Sequence, residues 1–525
     1  MLSTDQHDIP DTPVRKRSHN ALEIVDIIDQ VLLKLIEDKQ AKKTDLVSMA
    51  RCCKAFEDPS LNRLWASMSS VVPLLKLIHG VEEFQGSLII TGKIDFKKLP
   101  PRVQSYAKRI RDVNYDVTGD FSQVDSSTWM RLEHVNGALL PNLRSFRLSY
   151  TNPSTLGKER SLLLLPALLR SGSLSSFTFK TSPVTNQNTR YEVGPILNLL
   201  GDYNLEIETL EVAGTFISRY SKVLGTIRSL QCVSLEMALD SNLPDVLTAL
   251  SSLPRIRRLT LAFFGTTLHP GHLQSHTFPE LVGITLRGKI TFMSRVLAAI
   301  KAPSLEYVDI KVMPGAGDGT QESVLPSLQL IRFPALKRIF IDLVGCNSSP
   351  RLGERDNKLS IVNPILGNSC VEELVMTSLD PSMCLSDYEV IDLATSWPLL
   401  KVLRLEHTSR PTERPTFASL GYLAERCPCL VELSVSLREE RLHDVGLKPM
   451  STLGELNLQH TDIKRYARAA RYIDKLFPFL YKFSMSEQQT CEAVRDIIFE
   501  ACKPVRKDEQ SRKVEKIIIN GWGQL

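Results

Sequence analysis

Four groups of residues have types and spacings that could do chemistry. His269, His272 and His276 could converge on a transition metal, but their spacing follows no zinc pattern and no cysteine stands near them. Pro314-Gly315-Ala316-Gly317-Asp318-Gly319-Thr320 is a glycine-rich loop whose amides could cradle phosphate. A P-loop, however, ends in Gly-Lys-Ser/Thr ahead of a helix, and there is no lysine here. Cys52-Cys53 is a vicinal thiol pair open to redox chemistry, yet on a helix Cys53 simply continues an apolar stripe. Cys427-Pro428-Cys429 opens a repeated segment and needs no metal. Gly-x-Ser-x-Gly, His-Glu-x-x-His and Walker patterns are absent, and the ten cysteines show neither RING nor disulfide spacing. The expectation is a binding protein with no catalytic residues, no metal and no cofactor.

The elements that would carry such a role are written in a recurring phrase. Leu140-Pro141-Asn142-Leu143-Arg144-Ser145-Phe146-Arg147-Leu148 has the form of a turn followed by Leu-x-x-Leu-x-Leu. It returns with apolar substitutes at Leu174, Ile207, Leu230, Ile256, Leu281, Leu305, Leu336, Val371, Leu400, Leu430, Leu453 and Leu480. Anchors fall roughly 23 to 35 residues apart, the range of leucine-rich repeats. The second and third apolar positions of each copy alternate inward on a short strand, and one strand cannot bury that edge alone. Stacked copies predict a curved parallel sheet with helices on the convex side, an α/β solenoid. The runs 161–170, 195–201, 244–250, 293–300, 388–397 and 417–426 are the expected returning helices.

Bulk properties exclude several classes. The 525 residues carry a net charge of only +5, too little to imply nucleic acid. No apolar run approaches the ~18 residues of a membrane span, and Met1–Asn20 has no signal-peptide core, so a cytoplasmic or nuclear protein is expected. Residues 1–18 are expected to be a disordered tail; its Arg15-Lys16-Arg17 could aid nuclear import but is ordinarily solvated charge.

Residues 19–70 form a different unit. Asn20 with Glu23 matches a capping box, and Ile24, Ile27, Ile28, Val31, Leu32 and Leu35 follow helical spacing. Asp45 is placed to cap a second helix bearing Leu46, Met49, Cys53 and Phe56, and Asp58-Pro59 to open a third with Leu61, Leu64 and Trp65. Three helices this short bury little, so they need a partner or must pack on the adjoining segment of the chain. Residues 71–138 are expected to link or cap, with a basic piece at Tyr106–Asp112, and 139–525 to form the repeats and a C-terminal cap. That cap is expected to hold helices at 466–476 and 492–502 and a last strand at 513–520.

The residues Ala21–Ile28, Leu46 to Cys53-Lys54-Ala55-Phe56, and Leu64-Trp65 resemble an F-box, more narrowly that of the F-box/leucine-rich-repeat proteins abundant in mushroom-type (basidiomycete) fungi. Those proteins also continue with segments like Val72-Pro73-Leu74-Leu75-Lys76-Leu77 and Tyr106-Ala107-Lys108-Arg109-Ile110-Arg111. Val25 stands where the family usually has proline and Phe56 where it prefers tryptophan; both keep apolar character. The resemblance implies docking on a Skp-type adaptor, and through it a cullin, by Ile24, Ile27, Ile28, Val31, Leu35, Leu46, Phe56, Leu64 and Trp65. The repeats would then hold an unidentified protein substrate, making the chain a non-catalytic receptor subunit. The bland alternative is that the front helices merely cap a solenoid that serves as a scaffold or inhibitor.

Charged residues between the inward positions are expected on the concave face. Arg147, Lys180, Arg258, Arg287, Lys311 and Arg338 dominate the earlier copies, and Asp342, Glu373, Glu406, Glu432 and Glu455 the later ones. The substrate face is expected to include Arg258, Arg287, Arg338, Glu373, Glu406, Glu432 and Glu455, the acids forming an arc for a basic partner segment.

Overall fold

The computed structural model describes residues 25–37, 43–95, 98–116, 124–134, 137–150, 164–181, 194–203, 205–214, 221–237, 243–263, 273–313, 330, 333–343, 365–379, 385–407, 414–439, 449–450, 452–461, 463 and 465–485. The tail at 1–18, Ile24, His269, His272, the glycine-rich loop at 314–320 and the elements expected at 492–502 and 513–520 lie outside these residues. The chain divides into two compact units, Met1–Asn186 with Asp202–Glu206, and Gln187–Gly201 with Ile207–Leu525.

The first unit opens with three helices, α1 (Val25–Glu37), α2 (Lys43–Cys52) and α3 (Lys54–Ala66). Cys53 is extended (φ −161°, ψ 164°) and separates α2 from α3. Phe56 therefore sits in the first turn of α3 rather than at the end of α2, and Pro59 lies inside that helix rather than opening it. The reason is packing: starting α3 early carries Phe56 into a buried cluster with Ile28, Leu32 and Leu46. Beyond α3, a hairpin of strands Val81–Phe84 and Ser87–Ile90 turns through Gln85 (φ 50°) and Gly86 (φ 78°), both left-handed. Two such residues in a row twist with the strands they join.

Four strands of this unit pair in parallel: Ser67–Met68 with Asp112–Asp116, that strand with Ser145–Tyr150, and the last with Ser176–Thr181. The strand at Asp112–Asp116 is a further copy of the repeat. Ile110-x-x-Val113-x-Tyr115 obeys the same phrase, and all three residues are buried.

In the second unit eleven parallel strands succeed one another in chain order, from Thr209–Gly214 to Lys482–Met485. The thirteen strands expected from Leu143 onward are all present across the two units. The register matches equivalent positions: Leu259↔Ile284↔Val308↔Ile339↔Leu374↔Leu403, and Leu261↔Leu286↔Ile310↔Ile341↔Met376↔Leu405. These rows are buried throughout, as are the apolar faces of returning helices such as Leu243–Ser251, Asp387–Ser396 and Ala418–Arg426. The fold is a leucine-rich-repeat solenoid of the α/β class.

Charge reinforces the register where each strand begins. Lys337 Nζ donates to Glu306 (2.9 Å) and Lys401 Nζ to Glu372 (2.6 Å), while the Lys337, Glu372 and Lys401 backbone amides bond the preceding rung. A slip by one residue would break these pairs and turn every leucine outward.

Candidate functional site

Two surfaces qualify as sites, one on the front helices and one on the outward face of the repeats. On α1 the 3.6-residue period puts Ile28 and Leu32 inside the cluster, with Leu35 packed against it. Ile27 and Val31, one turn apart, face out at 42% and 46% exposure. Of the residues read as adaptor-facing, Ile28, Leu46 and Phe56 form the cluster, and Leu35 and Leu64 lean on it. Trp65 is half-buried and stacks on Tyr106, ring centroids 4.6 Å apart and nearly coplanar at 9°. The unit thus has an apolar interior and a small apolar exterior on the same helix.

On the repeats, residues between the inward leucines form rows across neighbouring strands. Arg258, Gly283, Tyr307, Arg338, Glu373, Val402, Glu432 and Glu455 occupy one row, each paired with the next. Arg287 lies in a second row with Lys311 and Asp342, and Glu406 comes directly after the inward Leu405. The register brings Arg338 beside Glu373 and Glu432 beside Glu455, and leaves Arg258 and Glu406 far apart.

The side chains settle into pairs. Arg404 grips Glu432 through two bonds, Nε to Oε1 at 2.6 Å and Nη2 to Oε2 at 2.7 Å. That bond is the first cause holding the Arg404 guanidinium above its ordinary value. Glu455 accepts from Lys482 Nζ (2.7 Å) and Tyr481 Oη (3.2 Å). Burial pushes the Glu373 carboxyl above the usual range, against the pull of Arg338 and Arg404. Asp309 is raised for the same first reason, with Arg287 opposing it. Lys311 reaches Asp342 at 3.5 Å.

The charge pattern alone did not disclose Tyr307 and Phe340, whose rings lie 5.5 Å apart, with the Arg338 guanidinium 5.6 Å from the Tyr307 ring centre. Tyr307 covers the space above Gly283, where an added Cβ would meet its ring at 3.4 Å. An aromatic at an outward position of Leu-x-x-Leu-x-Leu was the available signal. Tyrosine and arginine, paired here, are among the residues enriched at the hot spots of protein interfaces.

The other chemical candidates resolve into structure. Cys427 is buried, its thiol pushed up to about 12 by that burial, and its Sγ lies 3.7 Å from the Trp397 carbonyl oxygen. A thiol held neutral is a poor nucleophile and a poor metal ligand. His276 is buried beside Ser251 Oγ at 3.3 Å, and burial lowers its pKa. Cys52 and Cys53 are both exposed, and Cys53 lies between α2 and α3 in extended conformation, so it does not continue the expected apolar stripe. Among the described residues no three ligand-type side chains gather as a metal would need. No helix among them is long and apolar enough to cross a membrane.

No protein-family model matches this chain, and neither does any curated protein. Solved structures do. An internalin (inlF) from Listeria monocytogenes aligns at 13% identity over 77% of this chain and 86% of its own, with a TM-score of 0.33. A chain of the Rad7 and Elc1 complex in yeast aligns at 13% identity over 88% of this chain and 90% of that chain, at 0.29. A leucine-rich-repeat protein of Leptospira interrogans aligns at 11% identity, 75% and 95%, at 0.32.

Proposed function

We propose that the chain is the substrate-recognition subunit of a Skp–cullin–F-box ubiquitin ligase, with residues 19–70 as its F-box. The observation that carries this reading is the division of labour on α1: Ile28 and Leu32 hold the helix down while Ile27 and Val31 stay uncovered. A small helical unit that keeps apolar side chains in water is suited to a partner helix pair, which would bury them. Ile28, Leu46 and Phe56 support that face from within, and Leu35, Leu64 and Trp65 from its edges; Ile24 extends it along the sequence. The repeats take the target protein on the outward face, where Arg258, Arg287 and Arg338 precede Glu373, Glu406, Glu432 and Glu455. Arg404 and Lys482 answer part of the later acidic charge, and the remainder favours a basic segment of the target.

The chain itself makes no bond in this role. It raises the effective concentration of a target lysine near a ubiquitin-loaded enzyme. Working beside a cullin places it in the cytosol or nucleus.

One observation favours a second reading, a repeat scaffold or inhibitor whose front helices only cap it. Trp65 and Asp58 of α3 are tied to Tyr106 and Arg109, so α3 is bound into the rest of its unit. Co-expression with a Skp-type adaptor separates the two. The ligase reading expects the full chain to co-elute with the adaptor, and Ile27→Glu with Val31→Glu together to abolish co-elution while the variant stays folded. Failure of the wild-type chain to bind any Skp-type adaptor would leave the scaffold.

A further inference from the structure

Lys108, Arg109 and Arg111 of one basic run line a cleft of about 480 Å³ in the first unit. The walls come from α1, α3 and the helix Pro101–Arg109. A volume of that size is within the ~300–1,000 Å³ typical of small-molecule sites.

Arg109 organises the cleft. Its side chain is only 15% exposed. Nη2 donates to Asp58 Oδ1 at 2.6 Å and to Ser105 Oγ at 3.5 Å, and Nη1 donates to the Asp58 carbonyl at 3.2 Å and to Asn62 Oδ1. Asn62 and Ser105 each accept a bond from Arg109, which fixes their oxygens while the Asn62 amide N–H and the Ser105 O–H can still donate. Arg109 Nε is itself buried with no partner in the protein. That atom has essentially no solvent exposure, so it belongs to the wall of the cleft and is not a contact for a ligand.

The charges point the same way. Asp58 offsets Arg109, and Asp29 approaches Arg63 at 3.8 Å. Lys108 and Arg111, both exposed, have no ion pair among the described residues. Two uncompensated cations and two neutral polar side chains line one half-open cleft. Nucleic acid or a membrane surface would want an open basic face instead.

We propose that this cleft binds a small phosphorylated molecule of the pyrophosphate type, held by Lys108 and Arg111 with Asn62 and Ser105 as donors and Arg109 holding those two in place. Because it spans α1, α3 and the helix Pro101–Arg109, such a ligand would brace the front helices. It does not depend on adaptor binding.

The test is calorimetric titration of the full chain with inorganic pyrophosphate, with sulfate at matched ionic strength as the control. One saturable site is expected, weakened by added salt, with sulfate binding far more weakly. Lys108→Gln and Arg111→Gln, both at exposed positions, should each weaken it about tenfold. Circular dichroism and the melting temperature establish that the variants fold, and Ile27→Glu with Val31→Glu should leave pyrophosphate binding unchanged. No saturable heat at millimolar pyrophosphate, or affinity indifferent to both substitutions, would overturn the proposal. So would binding of a phosphoserine peptide without binding of pyrophosphate.

Discussion

The front helices and the repeats bury apolar surface in opposite ways. α1, α2 and α3 rest on a cluster of four buried residues, Ile28, Leu32, Leu46 and Phe56, and leave Ile27 and Val31 in solvent. The repeats close their core at every rung, because each strand brings two inward residues that meet the same two positions of its neighbours. Their outward face is mostly polar and partly paired, as Arg404 with Glu432 and Lys482 with Glu455 show. A unit that satisfies itself needs no partner to stand. On the proposed reading, the uncovered Ile27 and Val31 of α1 are what an adaptor would bury.

This contrast can be pressed at four places. The largest effect is expected from Phe56→Ala, which should cost about 3–5 kcal/mol and, on so small a cluster, open residues 25–66 while the repeats keep their amide protection. Hydrogen exchange read peptide by peptide would show this; uniform loss across the chain would mean the cluster is not a separate weak point. In the repeats the sensitive places should be geometric. Gly288 has φ +142°, and an added Cβ would lie 2.5 Å from the Phe263 carbonyl oxygen. Gly288→Ala should cost about 1–3 kcal/mol in chemical denaturation.

Arg404→Ala should cost only about 1 kcal/mol, because the pair with Glu432 is partly solvated. A double-mutant cycle with Glu432→Gln measures the coupling directly. The smallest effect carries a sign. Burial raises the Glu373 carboxyl. A carboxyl raised in the fold favours folding in acid and loses that advantage as pH climbs through its folded value, so ionised Glu373 opposes folding at neutral pH. Glu373→Gln should therefore stabilise the repeats at neutral pH, with the gain fading as pH falls through the raised folded value and gone by about pH 4. A gain that persists unchanged in acid would point to packing instead.

The repeats were legible because their phrase ties side-chain chemistry to a fixed period. Leu259 and Leu261 could be assigned inward from sequence, and register then came with them. The strand at Asp112–Asp116 escaped because Tyr115 fills an inward place usually taken by leucine and no proline turn announces Ile110. The start of α3 differs from expectation because Asp58-Pro59 is a strong local signal for a first turn, and burial of Phe56 overrode it. The charges could be assigned to positions alternating with the buried ones, but their partners were not readable. Arg404 with Glu432 and Tyr307 over Gly283 depend on rotamers that neighbours select. The cleft at Arg109 was hidden for the same reason: Asp58 and Arg109 are 51 positions apart and meet only once α3 and the helix Pro101–Arg109 have packed.

The most direct test of the central claim is hydrogen–deuterium exchange on the full chain with and without a Skp-type adaptor. New protection is expected over 25–37 and 43–66, centred on the turn that holds Ile27 and Val31, with the outward strands of the repeats unchanged. Protection confined to the repeats, or none anywhere at saturating adaptor, would contradict the ligase reading.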